Sequence, residues 1–340
     1  MTGAGRHRPT LEAVARLAGV SRATASRVLR GESNVSPQAH DSVLAAARKL
    51  SYTPNQAARS LVTGRSESIA FLVEETEDRL FSDPFFLGML RSAHARAAES
   101  GYQLVFTVAS STTEHRRFLQ YAAGGHVDGV LVVSLHGRDH LPVNLENLGV
   151  PTVLSGRPLS DGADLWYVDA DNVGGARAVT EHLLAAGRQA VATLTGPMDM
   201  CAGQDRLLGY RQAFDRAGRP VREELVVSGE FTIGSGFDAM SSLLAEHPEI
   251  DAVFAASDQM ALGAIRAIEQ AGRRAGTDVL VAGFDDIPEA AHSRPALTTV
   301  RQPIPDLGAT MVERLLRRIE GDDPQRATVL PVELIVRETA

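Results

Sequence analysis

Lysine is almost missing from this chain. Of 34 basic residues only Lys49 is lysine, a bias of genome base composition rather than a functional demand. Cysteine is as scarce: a lone Cys201 excludes an intramolecular disulfide and any metal site built from cysteines. No apolar run approaches the roughly 20 residues needed to span a bilayer. The segment Met1–Thr10 has charge but no apolar stretch behind it, so it does not read as a secretory signal. A cytosolic protein without a membrane partner is expected. Catalytic signatures are missing as well: there is no GxxxxGK phosphate loop, GxSxG turn, HExxH pair or dinucleotide fingerprint. The glycines of Ile233-Gly-Ser-Gly236 lack the preceding strand and the spacing of a phosphate loop. Asp285 and Asp286 are adjacent on one loop, where two carboxylates rarely share a reacting atom. The ten histidines are scattered, and His182 on an amphipathic helix reads as structural. No enzyme, cofactor or metal is expected.

What is present is an uneven charge. The 340 residues, enough for two or three folding units, are 44% hydrophobic and 22% charged with a net charge of −8. Residues 1–65 hold ten basic side chains against three acids, or +7; the remainder holds 24 against 39, or −15. A small basic head on a large acidic body suggests a nucleic-acid-binding module joined to something else.

The head reads as short helices. Thr10 can cap a first helix whose apolar stripe is Leu11, Val14, Ala15 and Ala18, and Gly19 ends it. Val20 can pack beneath the turn, and Ser21 caps the next helix two residues after Gly19. Helix, glycine turn, helix is the pattern of a helix-turn-helix. In the second helix Ala25, Val28 and Leu29 face inward, while Arg22, Ala23, Ser26, Arg27 and Arg30 face outward. Arginine can pair bidentately with guanine, and Ser or Ala can approach phosphate or a thymine methyl. Ser36-Pro37 opens a third helix with Val43, Leu44, Ala47 and Leu50 inward. After Tyr52-Thr-Pro-Asn55, Asn55 can cap a helix of about two turns carrying Ala57, Ala58 and Leu61, too short to be stable alone in water.

These residues resemble a known family. Thr10 through Gly31, then Val35-Ser-Pro37 and Tyr52-Thr-Pro-Asn55, are similar to the DNA-binding head of the LacI/GalR family of bacterial transcriptional regulators. The likeness continues through Val168-Asp-Ala-Asp-Asn172, Arg206-Leu-Leu-Gly-Tyr210, Ser257-Asp-Gln-Met-Ala-Leu-Gly263, Gly283-Phe-Asp-Asp286 and Leu297-Thr-Thr-Val-Arg-Gln302. It implies a head (1–54) and a hinge helix with linker (55–65). The body (66–340) would be two doubly wound parallel-sheet lobes of periplasmic-binding-protein type around a ligand cleft. Lobe 1 would be 66–168 plus 302–330, and lobe 2 169–301 plus 331–340. DNA contacts would come from Thr10, Ser21, Arg22, Ala23, Ser26, Arg27, Arg30, Asn55, Ala57, Ala58 and Leu61, with Leu61 wedging the minor groove.

The body supports an α/β fold by itself. Strand-like runs at 69–73, 104–109, 129–134, 152–154, 190–195, 252–256 and 279–283 alternate with helical stretches near 85–100, 113–123, 172–187, 205–218, 236–246 and 259–272. Ligands of such lobes sit beyond the carboxyl ends of the strands. By resemblance, Arg206, Asp285, Phe231, Ser257, Gln302 and Gly156 line that cleft, with Gly156 and Ser257 replacing residues that are more polar in relatives. Arginine, aspartate and an aromatic face suit sugar hydroxyls; a salt bridge between the lobes is the other reading of Arg206 and Asp285. The segment Phe81-Ser-Asp-Pro-Phe-Phe86 resembles sugar-responsive regulators of actinobacteria, which implies β-glucosides or other oligosaccharides. The partners implied are operator DNA, a mono- or oligosaccharide effector that releases it, and a second copy of the chain. Corepression by a ligand such as a purine is the alternative.

Overall fold

The computed structural model describes residues 9–29, 34–52, 64–137, 140–159, 164–322 and 324–340. The chain divides into two compact units, Met1–Ser66 and Glu67–Ala340.

In the first unit α1 (Leu11–Ala18) begins where Thr10 Oγ1 accepts the Ala13 N–H at 3.2 Å, which satisfies one of the orphan donors of a helix start. It stops at Gly19, whose φ of 68° is left-handed and free of penalty only for glycine. α2 (Arg22–Leu29) begins with Ser21 Oγ accepting the Thr24 N–H at 3.1 Å, and α3 (Pro37–Lys49) with Ser36 as cap and Pro37 in the first turn. Val14, Ala15, Ala25, Val28, Val43, Ala46 and Ala47 form the core of the three helices, with Val20 and Tyr52 packed against it. Leu44 and Leu50, expected inside, pack at the margin; the smaller Ala46 is buried where α3 meets its neighbours.

The second unit opens with β1 (Ser68–Val73), α4 (Glu77–Ser82), α5 (Pro84–Glu99), β2 (Gln103–Val108), α6 (Thr112–Ala123), β3 (Gly129–Val133), α7 (Leu141–Asn147), β4 (Thr152–Ser155) and β5 (Trp166–Ala170). It continues with α8 (Asn172–Ala185), β6 (Val191–Thr195), α9 (Cys201–Arg216), β7 (Val226–Ser228), α10 (Ile233–Glu246), β8 (Ala252–Ala255), α11 (Asp258–Gln270), β9 (Leu280–Ala282), α12 (Pro288–His292) and β10 (Thr299–Arg301). Last come α13 (Ile304–Glu320), β11 (Ala327–Leu330) and β12 (Glu333–Ile335).

Two parallel sheets result, ordered β11-β5-β4-β3-β1-β2 and β7-β6-β8-β9, with β10 and β12 paired antiparallel. Each sheet is apolar on both faces because helices cover both. Ile69, Phe71 and Val73 of β1 meet α5 and α13, while Ala70 and Leu72 meet α6 and α7. In the second sheet Leu194 and Val253 pack with α10 and α11, and Val191 and Phe254 with α8 and α9. The chain passes between the sheets three times: after β5, after β10 into α13, and from β11 to β12.

Several elements lie outside the sequence expectation. β5 has no continuous apolar run, since Asp169 interrupts it, and it carries the first sheet to Ala170, past the expected break at residue 168. β7, β10 and β12 have three residues each, too few to show a period of two. α4 and α7, with six and seven residues, are too short for a helical stripe.

Candidate functional site

Two surfaces carry the functional side chains, one on each unit. On α2, Arg22, Ala23, Ser26 and Arg27 fall at positions i, i+1, i+4 and i+5 and so share one face, opposite buried Ala25 and Val28. Arg22, Ala23 and Arg27 are exposed and Ser26 is half-buried. Arg22 also approaches Glu12 of α1 at 3.7 Å, an exposed pair of little energetic weight. Thr10 and Ser21 spend their side chains as helix caps. Arg30, Asn55, Ala57, Ala58 and Leu61 lie outside the described residues.

The second surface is a cleft between the carboxyl ends of the two sheets. Arg206, at the start of α9, is buried. Its Nε donates to Asn172 Oδ1 at 2.9 Å, its Nη1 donates to the Ala256 carbonyl, and the same nitrogen lies 3.4 Å from Asp285 Oδ1. Its guanidinium carbon stands 3.8 Å from the centre of the Phe284 ring and 5.6 Å from that of Phe231. Asp285 also accepts from Gln302 Nε2 at 2.6 Å, and its φ of 120° marks a strained turn after β9. Burial pushes its carboxyl up to about 7 despite the neighbouring Arg206. Arg206 and Asp285 therefore do pair, but both stand on the second-sheet side. The bond is internal to one wall of the cleft and does not bridge the lobes.

The other predicted residues reach the same cleft by different means. Phe231, at φ 55°, stands with its ring tip over Gly196, where any Cβ would fall 2.0 Å from the ring. Ser257 is buried as the cap of α11, its Oγ accepting the Met260 N–H at 3.2 Å. Gly156 lines the cleft at φ 91°, and a Cβ there would strike Cys201 Sγ at 2.7 Å. Its glycine is thus required by the backbone and by the Cys201 thiol. Burial holds that thiol up at about 12 and inert.

Other cleft residues escaped sequence reasoning. Asp169 at the end of β5 accepts from the backbone N–H of Arg157 and from Asn172 Nδ2, and burial raises it to about 6. Asp83 caps α5, and burial raises its pKa too. From α4, Arg79 pairs with Glu75 and stands 5.0 Å from the Phe231 ring centre and 5.5 Å from that of Phe86. Polar residues where a strand gives way to a helix were the available signal for Asp169 and Asn172. Arg79 lies in the stretch 74–86 that follows the first strand, beyond whose carboxyl end ligand is expected, but nothing singled it out, since only the tertiary fold brings α4 over Phe231.

The walls also touch each other. Arg157 grips Asp205 with two bonds of 2.8 and 2.6 Å, and Gln259 Nε2 donates to the Ser82 carbonyl at 3.3 Å. His136 lies 3.0 Å from both Glu75 and Asp199 through its two ring nitrogens. Among the described residues no three His, Cys, Asp or Glu side chains converge as metal ligands would. No helix among them is long and apolar enough to cross a membrane.

Comparison with known proteins finds matches in both units. Residues 10–55 match the bacterial regulatory proteins of the lacI family, and residues 180–340 match the periplasmic binding protein-like domain. The chain is 46% identical over 337 residues to the HTH-type transcriptional regulator CelR of Thermobifida fusca, covering 98% of this chain and 99% of that protein. A solved transcriptional regulator CelR–cellobiose complex superposes with a TM-score of 0.79 at 44% identity, covering 98% of this chain and 100% of the other. A lac repressor dimer bound to operator and the anti-inducer ONPF superposes with a TM-score of 0.87 at 30% identity, covering 98% and 99%. With such likeness along nearly its whole length, the chain belongs to the lacI family of DNA-binding bacterial transcriptional regulators.

Proposed function

We propose that this protein is a homodimeric repressor that leaves its operator when a saccharide of the cellobiose kind occupies the cleft. The observation that carries the reading is the buried Arg206–Asp285–Gln302 network beside the Phe231 ring. Charge-assisted donors and acceptors fixed in place next to an aromatic ring suit a neutral, hydroxyl-rich ligand. The cellobiose bound by the CelR relative supports that ligand class. In this reading Arg22, Ala23, Ser26 and Arg27 present the reading face of α2 to the major groove, with Arg30 a further DNA contact. Leu61 and its neighbours Asn55, Ala57 and Ala58 would enter the minor groove at the operator centre. Gly156 shapes the cleft and has no side chain to grip the ligand, while Ser257 Oγ accepts the Met260 N–H and keeps its O–H to donate.

The ligand would act through the distance between the two walls, because its hydroxyls replace or reinforce the contacts that now hold them together. Thermal shift and calorimetry of the purified protein with glucose, cellobiose, ribose and a set of purines test this. Stabilisation by cellobiose and not by purines is expected. A purine response with silent sugars would overturn the ligand class and favour corepression.

A further inference from the structure

The start of α9 carries Arg206 and is also held from the opposite wall. Asp205, the neighbour of Arg206, accepts both bonds of the Arg157 fork, from Nε at 2.8 Å and from Nη2 at 2.6 Å. Just before the helix, the Asp199 carbonyl accepts the Gly137 N–H at 2.7 Å, and His136 stands against the Asp199 carboxylate. Arg157 follows β4 and Gly137 follows β3, both in the first sheet, whereas α9 packs on the second.

Arg157 reaches Arg206 by a second route. Its backbone N–H donates to Asp169 Oδ2 at 3.1 Å, and Asp169 Oδ1 accepts from Asn172 Nδ2 at 2.9 Å. Asn172 Oδ1 in turn accepts from Arg206 Nε at 2.9 Å. The side chain and the backbone of one residue are thus both tied to the wall on which Arg206 stands.

Such a fork is exacting about spacing. Two parallel charge-assisted bonds fix guanidinium and carboxylate in both distance and angle, so a shift of about an ångström in the walls weakens both. The Arg157 side chain is 37% exposed, so water can take over its donors once the fork opens. At the present spacing the space among Arg206, Asp285, Gln302 and Phe231 is about 80 Å³. That holds about six waters, the room of one pyranose ring and not of two. Arg157 and Asp205 stand outside its lining. A ligand of the cellobiose kind therefore seats itself by parting the walls, and the fork opposes that.

We infer that the Arg157–Asp205 fork is the latch of the cleft, made at the wall spacing that goes with operator binding and broken at the one that takes sugar. Neither residue touches the ligand. Both are positioning residues, and the strength of their bond sets how much sugar is needed for release. The inference rests on the sugar reading above and adds the contact that sets its sensitivity.

Calorimetry of the full-length protein with cellobiose, on the parent, Arg157→Gln, Asp205→Asn and the double variant, tests it. Removing a contact made in only one of two states raises the affinity of whatever binds the other. Each single variant should bind cellobiose about three- to tenfold more tightly than the parent, a gain that a lost ligand contact or a damaged fold does not produce. The double variant should gain no more than the larger single, because both act through one bond. Arg157→Lys keeps the charge but not the fork; it should fall between parent and Arg157→Gln, and it carries the test should the others fail to fold. Cellobiose binding that is weaker or unchanged in the folded variants would overturn the latch while leaving the sugar reading intact. Gains that add in the double variant would overturn it too. Silence of cellobiose on the parent and every variant would instead sink the sugar reading, and the latch with it.

Discussion

Arg206 is a buried cation whose four partners are drawn from three segments: Asn172, the Ala256 carbonyl, and the adjacent pair Phe284, through its ring face, and Asp285. A buried charge is tolerated only while it stays paired and hydrogen-bonded, so removing a partner costs more than the bond itself was worth. Asp285→Ala is therefore expected to destabilise the protein by about 3 kcal/mol, read from urea denaturation, and to abolish saccharide binding in calorimetry. Unchanged stability would mean that water replaces the carboxylate freely. On the head, Arg27→Ala removes an exposed guanidinium from the outward face of α2. Operator affinity should fall by about 1–3 kcal/mol in a fluorescence titration at fixed salt if the contact is bidentate to guanine. At this scale the sequence was informative where a residue's neighbours are local or its motif is familiar, as with the Thr10 cap, Arg206 and Asp285. It singled out neither Arg79 nor His136, whose importance comes from segments far apart in sequence meeting across the cleft.

Helices α10 and α11 lie against each other through two glycines. A Cβ on Gly263 would sit 2.1 Å from the Ile233 carbonyl oxygen, and one on Gly236 would sit 2.3 Å from that of Met260. Both obstacles are backbone and cannot swing away as a side chain could. Mid-helix glycine costs about 1 kcal/mol relative to alanine, so Gly263→Ala gains helix propensity and loses packing. Overpacking against backbone wins, and a net loss of about 1–2 kcal/mol is expected in thermal or urea unfolding. A stabilised variant would show that the helices can slide apart. The pair Gly234 and Gly236, which the sequence excluded as a phosphate loop, has this packing explanation at Gly236. Most core strands and long helices were legible because each carries a run of apolar residues at one period, but the longest helix, α13, was not among those expected. The three-residue strands β7, β10 and β12 and the helices of six and seven residues were not, since their position is fixed by the sheet and the cleft they border.

The two sheets close on each other through polar contacts, and one of these depends on pH. His136 faces Glu75 and Asp199 with its two ring nitrogens, and the Gly137 N–H donates to the Asp199 carbonyl at 2.7 Å. Only an imidazolium can donate to both carboxylates. The Glu75 bond, with help from Asp199 and against the cost of burial, accordingly raises the His136 pKa above its ordinary 6.5. For Glu75 burial acts upward, but His136 and Arg79 outweigh it and hold its pKa below 4.5. A raised histidine pKa contributes stability that is complete below about 6.5 and fades as pH climbs through the raised value. The parent should thus lose thermal stability relative to His136→Gln as pH rises above about 6.5, and an identical pH dependence in both proteins would contradict the bridge. Arg157 and Asp205 would still hold the walls across that range, so the change is a loosening and not an opening.

The central claim is that cleft and DNA-reading head share one coupling free energy, typically about 1–3 kcal/mol, and it can be measured directly. An operator is selected from random duplexes by the protein itself, then titrated at fixed salt with and without saturating cellobiose. Weakening of operator binding by about 5- to 150-fold is the predicted result, matched by an equal loss of cellobiose affinity on the operator complex. Operator affinity that stays the same, or rises, while cellobiose is bound would contradict it.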